Sequence, residues 1–140
     1  MFYPYYSSLK ARLLDQVEAL KDIQKFNDQY SGGNLSECVA LLEFPETVNT
    51  PYITKTTQRE TVPMCIHIVS KIMSDKDGYV TDEQYLQHDQ VADAVNTAIK
   101  EYQLVYAGEN LARPVQITGY QDNVKVRGWL VTKIFINIRN

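Results

Sequence analysis

The sequence predicts an α+β fold, a single domain in which a mixed, mainly antiparallel sheet is flanked by two helices. Three observations predict it. Apolar residues recur at helical spacing twice, once behind Ser8 and once behind Thr81. Two short runs, Val39, Ala40, Leu41, Leu42 and then Met64, Cys65, Ile66, His67, Ile68, Val69, are largely apolar on both faces, as strands inside a covered sheet are. Residues 115–138 alternate around a polar break and read as a closing hairpin.

Each element follows in order. Ser7 and Ser8 offer a cap, and Leu9, Leu13, Val17 and Leu20 form an apolar stripe, so a first helix is expected over 8–21. From 23 to 30 the helical period is lost, and Phe26 and Tyr30 among polar residues suggest a short edge strand. Ser31, Gly32, Gly33 and Asn34 make a turn. The strand over 39–44 is closed by Pro45, which cannot donate to a ladder. Residues 46–61 then have almost nothing to bury and read as a polar, Thr-rich extended arm or hairpin. A segment of that length in a small domain usually serves something outside the domain. A strong strand over 62–72 follows, with Pro63 near its start, and then an acidic loop over 74–78.

Thr81 with Gln84 matches a capping box. Behind it Leu86, Val91, Val95, Ala98, Ile99 and Tyr102 form the stripe of a second helix of about 20 residues. Residues 108–113 read as loop. The hairpin is expected as strands over 115–120 and 124–138, turning at Gln121, Asp122 and Asn123, with a bulge or bend at Gly128. The predicted order is α-β-β-arm-β-α-β-β, with residues 1–140 forming one domain.

Composition limits the function. Hydrophobic residues are 44% and charged residues 22% of 140, ordinary for a globular chain. The net charge is -3, and no lysine or arginine run occurs, which argues against a nucleic-acid partner. A local basic patch at Lys125, Arg127, Lys133 and Arg139 reads equally well as mixed charge on a solvated hairpin. The first residues lack the features of a signal peptide, and no apolar run is long enough to span a membrane. Cys38 and Cys65 sit in apolar strands and read as free buried thiols, which suits a reducing compartment. A soluble domain made in the cytosol is expected.

Catalytic and metal-binding patterns are weak. Asp75, Asp77 and Gly78 imitate the middle of a calcium loop, but the anchor positions fall on Met73 and Gln84, so an acidic turn is the better reading. His67 and His88 lack a Cys or His neighbour at ligand spacing. His67 is read as a sheet residue on the less buried side, and His88 as surface or boundary. A thiol within an apolar strand has a raised pKa and is inert, so a Cys/His pair lacks local support. Gly32 and Gly33 precede a strand rather than open a helix, which fails the phosphate-loop test. Asp82, Glu83, Asp89 and Asp93 read as a solvated helix face. Neither an enzymatic activity nor a cofactor nor a metal is expected.

Tyrosine is the one skewed residue, at 10 of 140, and Phe2, Tyr3, Tyr5 and Tyr6 crowd the N-terminus. Such rings either fold back on their own domain or meet a partner.

Several local patterns together resemble the tail-terminator (tail-completion) and head–tail joining proteins of long-tailed bacteriophages. They are the amphipathic helix from Leu9 to Leu20, a buried strand ending Leu42, Glu43, Phe44, Pro45, and a Thr/Gln/Arg arm entering the strand at Val62. A helix carrying Asp89, Gln90, Val91, Ala92, Asp93, Ala94 and Val95 follows, and then a strand with Arg127, Gly128, Trp129, Leu130 and Val131. The resemblance implies a non-enzymatic virion subunit made in the bacterial host cytoplasm. It further implies a homo-oligomeric, hexameric ring contacting tail-tube and neck or connector proteins. The family offers no catalytic residue. Its polar hairpin maps loosely onto Thr54, Lys55, Thr56, Thr57, Gln58, Arg59 and Glu60, and Tyr3, Tyr5 and Tyr6 join these as expected contact residues. Two other readings stand beside it: a small ligand-binding or enzymatic domain with a pocket under the arm, and a different head-closure or tail-adaptor connector.

Overall fold

The computed structural model describes residues 1–31, 35–48, 60–72 and 80–140. Helix α1 spans Tyr3–Gln16 and starts earlier than the serine pair suggests. Pro4 sits in its first turn, where the missing N–H would have no helical partner in any case. Phe2 supplies no side-chain cap and instead stacks on Phe44 at 5.2 Å. Ser8 lies inside the helix and is buried; its hydroxyl accepts from the Val105 N–H at 2.9 Å and meets the Tyr102 hydroxyl at 3.2 Å. The helix stops at Gln16, yet Val17 and Leu20 remain buried in the following turn. That continued burial carries the apolar spacing past the true helix end.

Strand β1 (Asp22–Lys25) pairs in parallel with β2 (Cys38–Glu43). The connection between them carries a short 3-10 turn, Gln29–Ser31, where an edge strand running to Tyr30 was expected. The expected glycine turn lies outside the described residues from Gly32 to Asn34. Strand β3 (Thr61–Lys71) runs antiparallel to β2 and, along its whole length, to β7 (Trp129–Arg139). Strand β6 (Gln116–Val126) closes the five-stranded order β1-β2-β3-β7-β6. Helix α2 spans Asp82–Ile99, and Val105–Tyr106 (β4) with Glu109–Asn110 (β5) forms a small hairpin whose second strand falls within the expected loop over 108–113. The fold is therefore the predicted single α+β domain.

Register assigns the two faces. Ala40, Leu42, Val62, Met64, Ile66, Ile68, Ile134, Ile136 and Ile138 face the helices and pack with Leu9, Leu13, Val95, Ala98 and Ile99. On the opposite face Val39, Leu41, Val69 and Val131 form a second, smaller core under Phe26, Tyr30, Leu35, Val126 and Trp129. The β1–β2 connection is the cover for that half. This double coverage explains why β2 is apolar throughout.

The closing hairpin exchanges the two irregular features that its sequence suggests. The turn falls at Arg127 and Gly128, whose φ values of 48° and 84° are those of a two-residue type I′ loop. The polar triplet at 121–123 lies inside β6, where the register shifts between Gln121 and Val124. A bulge absorbs extra polar residues without ending the strand. A Cβ added at Gly128 would meet nothing within 4 Å, so only backbone conformation opposes substitution there. Gly128→Ala is expected to lower stability by about 1–2 kcal/mol in denaturant titration, and Gly128→Asn by clearly less.

In α2 the stripe is His88, Ala92, Val95 and Ile99, while Leu86 points outward at 56% exposure. The expected stripe chose Leu86 because histidine counts as polar. Thr81 caps the helix, its hydroxyl accepting from the Gln84 N–H at 3.2 Å. The reciprocal half of the capping box is missing, since the Gln84 side-chain oxygen is buried with no partner among the described residues. No helix among the described residues is long and apolar enough to cross a membrane.

Candidate functional site

The N-terminal aromatics divide between core and surface. Phe2, Tyr5 and Tyr6 pack against the main core, and the Tyr6 hydroxyl donates to the Ile23 carbonyl at 3.3 Å. Burial, helped by the Glu60 carboxylate, raises the Tyr5 phenol above its ordinary pKa. Tyr3 instead stays 63% exposed and meets Tyr106 edge-on at 6.2 Å, with Val105 exposed beside it. The outward apolar patch is thus Tyr3, Val105 and Tyr106, and two of its members come from β4, which lies between the expected end of the second helix and the expected loop over 108–113.

Of the expected arm residues, Thr54, Lys55, Thr56, Thr57, Gln58 and Arg59 lie outside the described residues. Glu60 is anchored: its N–H donates to the Asn140 side-chain oxygen at 2.7 Å, and its carbonyl accepts from the Asn140 N–H at 3.1 Å. The structure therefore separates Glu60 from the surface patch and makes it part of the sheet's end. The acidic loop from Asp75 to Gly78 also falls outside the described residues. The basic residues do not share one face, because register puts Lys125 on the helix side and Lys133 and Arg139 on the other.

Both histidines are buried, contrary to expectation, at 1% and 2% exposure. Each has partners from strands remote in sequence. The His67 ring stacks on Phe26 at 4.6 Å, with Nε2 2.6 Å from a Glu43 carboxylate oxygen and Nδ1 2.8 Å from the Tyr30 hydroxyl. Glu43 can only accept, so Nε2 carries the proton and the Tyr30 O–H donates to Nδ1. His88 lies under the cavity between the end of α1 and the first half of α2. Its Nδ1 is 2.7 Å from Ser70 Oγ and its Nε2 2.9 Å from Thr132 Oγ1. Thr132 donates to Asp122 at 3.3 Å, which orients the chain from Ser70 through His88 and Thr132 to Asp122.

Burial lowers the pKa of both rings and outweighs Glu43 at His67 and Asp122 at His88, which act the other way. The His67–Glu43 contact is thus a hydrogen bond of a neutral ring rather than an ion pair. Protons bind these rings more readily in the unfolded chain, so stability rises with pH through the window below about 6.5 and is complete above it. Unfolding by urea at about pH 7.5 and about pH 5.5 should show a marked loss at the lower value. His88→Gln, which keeps a hydrogen-bonding group at each end, should reduce that slope.

The thiols follow the same physics. Burial first, then Glu43, pushes Cys65 up to about 12, with Lys133 pulling the other way, and burial also raises Cys38. Neither is poised as a thiolate nucleophile. The cavity beside His88, about 520 Å³, is lined by Cys38, Ser70, Gln84, Gln87 and Val91 among others. A hydroxyl hydrogen-bonded to an oriented imidazole is half of a nucleophilic array.

No protein-family model matches the chain, and no curated protein matches it either. Among solved structures, a chain of the "Virion of native gene transfer agent (GTA) particle" superposes with a TM-score of 0.60 at 15% identity, covering 95% of this chain and 94% of that one. At that identity the likeness is one of fold, and it extends over nearly the full length of both chains.

Proposed function

We propose that the chain is a non-enzymatic structural subunit of a phage or prophage virion, namely a ring-forming tail terminator or neck protein that joins tail tube to head. The observation that carries this reading is the shared fold with a chain of a phage-like particle over nearly the whole of both. Three features of the chain itself support it. Strands β1 and β6 leave both sheet edges unpaired within the described residues, and edge strands invite pairing with neighbours. Tyr3, Val105 and Tyr106 present an outward apolar patch, with the two tyrosine rings edge to face. The arm carries an unbroken polar run, Thr54, Lys55, Thr56, Thr57, Gln58 and Arg59. A closed ring of identical subunits would satisfy the two edges against each other. Tail-tube and connector proteins are the heterologous partners, and the virion is the location.

Light scattering across a range of concentrations tests the reading. A ring-sized mass, reached by the chain alone or on adding tail-tube protein, is the expected result. A strict monomer under all those conditions would count against it.

The cavity beside Ser70 and His88 favours a second reading, a small ligand-binding or enzymatic domain. Covalent labelling of Ser70 by a fluorophosphonate, abolished in Ser70→Ala, would support it. A head-closure or tail-adaptor role differs only in partner and would be told apart by which virion protein captures the chain.

A further inference from the structure

We propose that Glu43, Cys65 and His67 form a binding site for a divalent cation of the zinc class, with one coordination position left open. The topology brings the three together on one face of the sheet. Glu43 is directly opposite Cys65 in the β2–β3 ladder, and His67 follows two residues on, so its side chain emerges on the same face. Their ligand atoms, one thiol sulfur, one imidazole nitrogen and one carboxylate oxygen, all lie within 4.8 Å of one another. Sulfur, nitrogen and oxygen in one set suit a borderline-soft ion rather than calcium or magnesium.

The geometry needs little adjustment. Bond lengths of about 2.0–2.3 Å in a tetrahedral site put neighbouring ligand atoms about 3.5 Å apart. The His67–Glu43 separation of 2.6 Å must therefore open, and the Glu43 side chain, 42% exposed, is free to swing outward. His67 is already oriented by the Phe26 stack and the Tyr30 hydroxyl. On binding, the ring proton moves from Nε2 to Nδ1, where the Tyr30 oxygen becomes its acceptor, the usual outer partner of a metal-bound histidine. The Cys65 thiol loses its proton to solvent as the sulfur–metal bond forms. Thiolate and carboxylate then balance the dication, while Lys133, opposite His67, offsets part of that attraction.

Two of the three ligands, Glu43 and Cys65, line a cleft of about 430 Å³ together with Phe44, Pro45, Pro63 and Phe135. It gives an ion a way in and leaves room for water or a further ligand. Glu43 ends β2 just before the arm, and Cys65 stands near the start of β3 just after it. A bound cation would clip together the two strands from which the arm springs.

Titration of tag-free, chelator-treated full chain with Zn2+ by calorimetry is the test, together with Co2+ absorption. One ion per chain is expected, with one proton released, read from the dependence of the heat on buffer, and a sulfur-to-Co2+ charge-transfer band. Cys65→Ser should remove the band and saturable binding, and Glu43→Gln should weaken binding. Tyr30→Phe should weaken it by about 10-fold or more while the ring stays in place. Circular dichroism identifies any variant that fails to fold, and Glu43→Gln, at a half-exposed position, keeps the comparison available. The absence of saturable binding, or binding unchanged in Cys65→Ser and Glu43→Gln, would overturn the site.

Discussion

A chain in which residues 54–59 are replaced by a glycine–serine segment of equal length is expected to fold like the parent and to lose assembly altogether. The folding half rests on where the structure anchors the chain on either side. Upstream, Phe44 stacks on Phe2 and Val48 packs against the main core. Downstream, Glu60 exchanges two hydrogen bonds with Asn140, and Thr61 already pairs with Arg139 in the sheet. Equal length keeps the closure entropy of the segment nearly unchanged. The assembly half rests on the proposed role of the arm. Light scattering and circular dichroism on the same samples separate the two halves. Assembly that survives the replacement would remove the arm from the interface and leave the sheet edges and the Tyr3 patch to account for it.

Ile66→Ala is expected to lower the unfolding free energy by about 2–5 kcal/mol. Ile66 is fully buried in β3, with Leu42 opposite it in β2 and Ile134 opposite it in β7. Both helices close over that face, so the emptied volume has little freedom to collapse. Against a total stability of about 5–15 kcal/mol for a domain, this is a large fraction. Urea titration should show a lower midpoint with an unchanged slope. A loss under about 1 kcal/mol would mean that the helical layer relaxes into the space and that the sheet centre is only loosely covered.

Local patterns carried most of the architecture. The start of α2 was legible because Thr81 and the Gln84 N–H are one turn apart, and β2 was legible because both its faces are apolar. The α1 boundaries were not, since Val17 and Leu20 continue the stripe beyond the helix and Pro4 extends its start. The hairpin turn was misplaced for a similar reason. Asp122 and Asn123 carry stronger turn chemistry than Arg127, yet a bulge took them in, and Gly128 supplied the positive φ next to Arg127. The burial of the histidines is not legible in the sequence because their partners are remote. Nothing near His88 announces Thr132, and nothing near His67 announces Tyr30 and Glu43. The same remoteness hid the Glu43, Cys65 and His67 cluster, which exists only through the β2–β3 register.

The place of β7 in the sheet bears on how the chain is made. Although late in sequence, β7 is an inner strand, bonded to β3 on one side and β6 on the other. Until residues through Arg139 have left the ribosome, β3 has no partner on that side along its 11 residues. The sheet closes only around distant contacts, which form slowly compared with local ones. Nascent chains are thus held short of the native sheet until synthesis has passed this strand, and a product terminated before it leaves β3 without its β7 partner.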